Sequence, residues 1–292
     1  MSKSMRIRMV LLVAVFLNLV GKGAAQTKAQ PERIVSLNGT VTEIICALGL
    51  QNGLVGVDVT STYPETVAKV PRVGHTRNMG AEAILALKPT LVVGTQSSGG
   101  LDVKPEVVRQ LQGAGIKTLF FAQSYSPAGT KKLITDVATA FGQAGKASAL
   151  TRKIDADLAK VRKLSRQPKV LFIYARGAGN MMVAGAGTSV EKIIQLAGGS
   201  NAVTGFENFK PLTAEALVTA NPDVILLFTS GLESMGGLTG LLKVPGIAQT
   251  NAGRNRHVVE MDGQLLTGFG PRLGVAALEL NQKISPDLAL NH

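Results

Sequence analysis

The sequence predicts an α/β protein of two similar lobes joined by a long helix, and three observations point to this. From residue 33 onward, short apolar runs bounded by Gly and Pro alternate with helix-period segments, the pattern of parallel strands with helical crossovers. The unit Ala81-Glu82-Ala83-Ile84-Leu85, running on to Pro89-Thr90-Leu91-Val92-Val93, returns 133 residues later as Ala214-Glu215-Ala216-Leu217-Val218 and Pro222-Asp223-Val224-Ile225-Leu226. Between the copies, residues 146–167 form an amphipathic stretch free of Gly and Pro.

The elements follow in order. Lys3, Arg6 and Arg8 precede the apolar run 9–20, and Gly23-Ala24-Ala25 offers small residues for cleavage, so residues 1–25 read as a secretory signal peptide. The run is short for a membrane span, and no Cys follows it to carry a lipid anchor. Its removal takes four cations and no acid, lowering the formal charge from +12 to +8. Residues 26–142 form the expected N-terminal lobe, with strands over 33–37, 54–57, 91–94 and 118–121. Its helices are expected over 40–48, 81–87, 105–112 and 128–141, the first with Thr40 as N-cap and Glu43 three residues on.

Residues 143–167 are expected to be a connecting helix. Ala147, Leu150, Ile154, Leu158, Val161 and Leu164 make one apolar stripe, and the helix would extend about 30 Å. Periodicity alone fits equally well an ordinary amphipathic surface helix within one domain. Residues 168–292 form the C-terminal lobe, with a strand over 169–174, a glycine-rich loop and a helix over 189–196. A weaker echo links Ile44-Ile45-Cys46-Ala47-Leu48-Gly49 with Ile193-Ile194-Gln195-Leu196-Ala197-Gly198. Two such lobes leave a cleft between them, a preferred place for a small-molecule site.

Composition excludes several functions. With 45% hydrophobic and 17% charged residues over 292 positions, the chain is neither disordered nor fibrous. Aromatics are 4% and Trp is absent, so base stacking is not its binding device. The basic residues are scattered and the chain is exported, which argues against a nucleic-acid partner. Cys46 stands alone in an apolar segment, where a core role fits better than a reactive thiol. Gly177-Ala178-Gly179 begins like a dinucleotide loop, but Met182 stands at the third glycine position, and Val190 stands there after Gly185-Ala186-Gly187. There is no Gly-x-Ser-x-Gly elbow and no His-Glu-x-x-His pair, so an exported enzyme using His75 as general base is disfavoured.

The segment from Ser61-Thr62-Tyr63-Pro64 to Pro71-Arg72-Val73-Gly74-His75-Thr76-Arg77-Asn78-Met79 gathers a Tyr, a His and two Arg in one loop. With Glu32-Arg33-Ile34-Val35-Ser36-Leu37, Thr42-Glu43-Ile44, Val55-Gly56-Val57-Asp58, Ala81-Glu82, Lys88-Pro89-Thr90-Leu91, Ala197-Gly198-Gly199-Ser200-Asn201-Ala202, Pro211-Leu212-Thr213 and Gly268-Phe269-Gly270, it resembles the periplasmic haem-binding proteins of bacterial haem-uptake ABC transporters. Several of these stretches also occur in relatives that bind cobalamin or ferric siderophores.

The resemblance implies a class III periplasmic binding protein: two Rossmann-like lobes joined by a long connecting α-helix, with little closure on binding. It implies a non-enzymatic periplasmic carrier in iron acquisition that takes haem as transported ligand and hands it to an inner-membrane ABC permease with its ATPase. An outer-membrane haem receptor system would stand upstream, and a cobalamin or ferric-siderophore carrier is the alternative. Where many members read Val-Gly-Tyr-Met-Arg, with Tyr on the iron, this chain reads Val73-Gly74-His75-Thr76-Arg77. His75 is therefore the expected iron ligand, a role neutral imidazole can fill. Arg77 is expected beside it or on a propionate, with Arg176 and Lys210 as basic pocket residues and Tyr63 as a reserve ligand. Phe206, Met181, Met182 and Phe269 are candidates to face the porphyrin. Glu82 and Glu215, equivalent in the two repeats, are expected to dock on permease arginines.

Overall fold

The computed structural model describes residues 32–97, 100–177, 179 and 181–285. The signal segment 1–25, Ala178 and His292 lie outside the described residues. The described residues from Arg33 to Ser285 belong to one unit.

Its first sheet holds β1 (Ile34–Ser36), β2 (Leu54–Val57), β3 (Leu91–Ser97), β4 (Gly100–Leu101) and β5 (Lys117–Ala122). Strands β2-β1-β3-β5 run parallel in that order, and β4 turns back against the end of β3. The second sheet holds β6 (Lys169–Ala175), β7 (Met181–Ala184), β8 (Ser200–Asn201), β9 (Phe209–Pro211), β10 (Val224–Phe228) and β11 (Val258–Met261). Here β8-β6-β10-β11 are parallel and repeat the order of the first sheet, while β7 and β9 extend it antiparallel. The apolar runs Leu91–Val93, Val170–Ile173 and Val224–Leu227 are buried, as parallel strands covered on both faces require.

The N-terminal lobe carries α1 (Gly39–Ala47), α2 (Ala81–Leu85), α3 (Pro105–Gly113) and α4 (Pro127–Ala140), and α5 (Ala144–Leu158) follows. The C-terminal lobe carries α6 (Ser189–Leu196), α7 (Ala214–Ala220), α8 (Thr229–Ser234), α9 (Gly237–Leu241), α10 (Asn251–Arg254), α11 (Gly263–Thr267) and α12 (Leu273–Ile284). None of the described helices is long and apolar enough to cross a membrane.

The sequence repeat is kept in register at the start of each element, although α2 ends at Leu85 and α7 runs on to Ala220. Helices α2 and α7 start at Ala81 and Ala214, and the strands behind them start at Leu91 and Val224. Both copies also pass through a left-handed residue before their proline, Lys88 at φ 48° and Asn221 at φ 40°. Proline disfavours the helical region for the residue before it, so each helix is stopped by the same device.

Two expectations are corrected. The N-cap of α1 is Asn38 rather than Thr40: its side chain accepts from Thr40 N at 2.9 Å and Val41 N at 3.1 Å. That leaves Glu43 free of any capping role. The connecting helix ends at Leu158, not 167, and spans about 22 Å. Its backbone tightens through Lys160 N to Asp157 O (3.1 Å) and Val161 N to Leu158 O (3.0 Å). The buried amide of Asn281 in α12 then takes both the N–H (3.2 Å) and the carbonyl (2.8 Å) of Arg162. A side chain 119 residues away thus replaces the next helical turn. Val161 and Leu164 still pack on the core, so the apolar stripe is real although the helix is shorter.

Helix α5 packs on α4 at one side and on α12 at the other. The second crossing is close: a Cβ at Gly274 would lie 2.5 Å from Asp157 Cβ and 2.9 Å from the Ile154 carbonyl. Gly274→Ala is therefore expected to destabilise the protein by about 1–3 kcal/mol, read as a fall of several degrees in the thermal midpoint. An unchanged midpoint would contradict the crossing.

Candidate functional site

A cleft of about 1000 Å³ opens between the lobes, at the top of the range for small-molecule sites. Its walls follow the carboxyl ends of strands: Leu37 and Asn38 after β1, Asp58 after β2, Gln123 after β5, Phe228 and Thr229 at the end of β10, and Asp262 after β11. This is the usual position for a ligand in open α/β sheets.

The N-terminal wall rests on a hydrogen-bonded loop. The buried Asp58 carboxylate accepts from Thr60 N (3.0 Å), the Thr60 hydroxyl and the Ser61 hydroxyl (2.6 Å). The Ser61 and Ser36 hydroxyls each lie 2.8 Å from the Thr42 hydroxyl. Arg72 donates to the carbonyls of Asp58 and Ser61. The next segment is tied in by Val73 N to Val57 O (2.9 Å) and Val59 N to Gly74 O (3.1 Å), with Gly74 at φ 106°.

This places His75 at the cleft. Its carbonyl accepts from Asn78 N and Met79 N, and its Nδ1 accepts from Arg77 N at 3.2 Å. The neutral ring in this arrangement carries its proton on Nε2. Among the described residues it is the only imidazole lining the cleft, since His257 lies against the Lys283 carbonyl at 3.0 Å. Tyr125 lines the cleft too, but burial and then the Asp102 carboxylate hold its phenol above the ordinary value. A tyrosinate there is disfavoured.

Of the residues singled out from sequence, His75 and Arg77 line the cleft. Tyr63 does not: its ring lies under the Arg272 guanidinium, 3.6 Å away. Arg176 is exposed, 5.5 Å from the Tyr174 ring, and Lys210 sits 4.9 Å over the Phe206 ring. Phe206 closes over Gly185, where a Cβ would meet its ring at 2.5 Å. Phe269 is buried edge-on to Tyr125 at 5.4 Å, and Met181 packs against the second core. None of these, nor Met182, lines the cleft, whose apolar surface comes from Leu37, Leu101, Tyr125 and Phe228. Glu82 and Glu215 are exposed in the first turns of α2 and α7.

The cleft charge was not foreseen. Among the described residues Arg77 is the only Lys or Arg in the cleft lining, which also holds Asp102, Glu233 and Asp262 and the buried Asp58, in a chain of formal charge +12. No described group of three or more His, Cys, Asp or Glu could hold a bare metal ion. Cys46 is half-buried, and burial, with the Glu43 carboxylate second, pushes its thiol up to about 11.

Sequence reading also missed the contacts that join the lobes below the cleft. Arg272 donates from Nε to Glu43 Oε1 (3.0 Å) and from Nη2 to Oε2 (2.9 Å), a bidentate pair. Burial pushes the Glu43 carboxyl up, and Arg272 and Gln264 draw it back. The Gly268 carbonyl accepts from the Thr40 hydroxyl (2.5 Å) and Gln123 Nε2 (3.0 Å). One signal was present in the sequence: Glu43 is a lone charge within the apolar run Val41–Leu48, and a buried acid calls for a cation.

Arg272→Met strands the Glu43 charge and is expected to cost about 3 kcal/mol. The double variant Glu43→Leu/Arg272→Met, which buries no charge, should melt above the single variant. Equal or lower midpoints would contradict a coupled pair.

Comparison with known proteins agrees with this architecture. Residues 34–265 match the model of the periplasmic binding protein family. The chain is 31% identical over 265 residues to an uncharacterized ABC transporter substrate-binding lipoprotein, YvrC of Bacillus subtilis, covering 89% of this chain and 82% of that one. It is 26% identical to a vitamin B12-binding protein of Yersinia pestis, covering 87% and 86%. Among solved structures it is similar to the apo periplasmic haem-binding protein RhuT of Roseiflexus sp. RS-1, with TM-score 0.82, 42% identity and coverage of 88% and 99%. It is also similar to the periplasmic haem-binding protein BhuT in complex with two haems, with TM-score 0.79, 35% identity and coverage of 86% and 97%. With two like-ordered parallel sheets, a cleft across their carboxyl ends and a family match over most of its length, the chain belongs to the periplasmic binding protein family.

Proposed function

We propose that this protein is a periplasmic haem carrier of an ABC importer, with His75 as the axial ligand of the iron. The observation that carries the reading is the placement of His75 and Arg77 together on the wall of a preformed interlobe cleft, in a chain 42% and 35% identical to haem-binding carriers. Burial of the porphyrin faces against Leu37, Leu101, Tyr125 and Phe228 supplies most of the affinity. Binding of iron at Nε2 moves the ring proton to Nδ1 and gives up the Arg77 N–H bond, a loss of about 1 kcal/mol set against the coordinate bond. A neutral donor in place of a phenolate favours ferrous iron and raises the reduction potential.

Arg77 takes a propionate as a fixed-charge fork. Arg176 and Lys210 are left out of this role, because neither lines the cleft. The carboxylates Asp102, Glu233 and Asp262 disfavour polyanionic ferric chelates in the same space. A cobalamin carrier is the second reading, favoured by the vitamin B12-binding relative at 26% identity. Delivery is to an inner-membrane permease and its ATPase, with Glu82 and Glu215 as the docking pair. Both are exposed, both sit in a helical first turn, and the internal repeat relates them. An outer-membrane haem receptor would supply the cargo.

Haemin added to the purified protein should give a shifted Soret band in both iron oxidation states. His75→Ala should alter that spectrum and weaken binding at least tenfold, while Tyr63→Phe leaves the spectrum unchanged. Absence of a Soret shift together with cobalamin binding would overturn the haem reading, and an unaltered His75→Ala spectrum would remove His75 from the iron. Glu82→Ala/Glu215→Ala should retain haem binding and lose haem uptake through the reconstituted importer; uptake at the parent rate would contradict the docking pair.

A further inference from the structure

Helix α11 starts one residue before Gln264, whose side chain lines the cleft yet is bonded into the opposite lobe. Its Oε1 accepts from Thr62 N (2.7 Å), the Thr62 hydroxyl (2.9 Å) and Tyr63 N (2.9 Å). Its Nε2 donates to the Gly39 carbonyl (2.8 Å) and to Glu43 Oε2 (3.3 Å). The amide can sit only this way round, because a flip would set its N–H groups against two backbone donors and its oxygen against a carbonyl. Its approach depends on a glycine: a Cβ at residue 39 would lie 2.7 Å from the Thr60 carbonyl and 3.3 Å from Gln264 Cδ.

Besides the Gly268 carbonyl with its donors Thr40 and Gln123, a further cross-lobe contact, Glu43–Arg272, has a different character. Neither Glu43 nor Arg272 lines the cleft, and their side chains are only 6% and 21% exposed. Separating them would strand a buried charge, which is costly. The bonds of Gln264 open onto the cleft, are made by a neutral amide, and can be exchanged for bonds to water at small net cost.

We propose that Gln264 is a positioning residue: a releasable clasp that fixes the width of the empty cleft, with Glu43–Arg272 as the pivot about which the lobes part when it breaks. The clasp holds the unloaded cleft ready for a flat ligand, so little energy is lost to closure on binding. Its opening sets how fast cargo leaves. The part concerning release rests on the haem reading; the part concerning width does not.

Two measurements test this on the full chain. Spin labels at Glu106→Cys and Lys243→Cys, one exposed site per lobe, in a Cys46→Ser background, report the interlobe distance without ligand. Gln264→Ala should broaden that distribution and shift it to longer distance, while Gln282→Ala, an exposed change on α12, leaves it as in the parent. With haemin loaded, Gln264→Ala should release haem to an excess of acceptor apo-globin at least tenfold faster with an unaltered Soret spectrum, a combination that loss of an axial ligand would not give. If Gln264→Ala does not fold, Gln264→Asn, one methylene too short to reach Gly39, takes its place. An unchanged distance distribution in a folded variant overturns the clasp, and a release rate within twofold of the parent overturns its control of release. Failure of the parent to bind haemin would count against the haem reading alone, because the distance measurement needs no cargo.

Discussion

Arg272 joins the two halves of this chain at one point below the cleft. Its guanidinium is bonded at two corners to Glu43 and covered on one face by the Tyr63 ring, both from the N-terminal lobe. A buried pair of this kind adds little net stability, because desolvation offsets the attraction. It does select one arrangement, since displacement of the lobes would leave a carboxylate in a dry place without a partner. Glycines make that arrangement reachable. A Cβ at Gly270 would press on the Thr40 methyl at 3.1 Å, and one at Gly268 would lie 3.4 Å from the Thr40 hydroxyl.

The chemistry of the cleft fits a carrier better than a tight store. Among the described residues the lining holds one imidazole, one guanidinium and a few apolar side chains beside the carboxylates Asp102, Glu233 and Asp262, with Asp58 buried behind. A macrocycle with its charges on one edge can meet the apolar surfaces and keep that edge toward Arg77. The scattered positive charge of the chain then acts at long range, drawing anionic ligands toward the molecule, while the cleft screens them by shape and local charge. On the proposed reading, release requires the axial bond, the contacts of the groove and the Gln264 clasp to give way, with no closed cage to dismantle.

Much of the fold was legible because it is written in local patterns. The unit at 81–93 and its copy at 214–226 predicted two lobes, and the structure keeps their register down to the left-handed residues Lys88 and Asn221. What sequence could not show was which distant groups meet. The apolar stripe through Val161 and Leu164 does pack inward, but nothing local reveals that Asn281 captures the Arg162 backbone and ends the helix. His75 and Arg77 reached the cleft through a resemblance and a loop between strand and helix. Arg176 and Lys210, expected from the same resemblance, and Phe206 do not line the cleft: a matching position in sequence does not say which way the side chain turns, and here the Arg176 and Lys210 cations lie against Tyr174 and Phe206 instead. Gln264 carried no signal at all: a glutamine near a helix start is ordinary until its four partner residues, some 200 residues earlier in the chain, are folded against it.

The most direct test is a crystal structure of the protein with haem bound. One imidazole nitrogen of His75 is expected at coordination distance from the iron, with a propionate on Arg77 and the bonds of Arg272 to Glu43 intact at the same lobe separation. Iron held by another side chain, or haem seated outside the interlobe cleft, would contradict this arrangement.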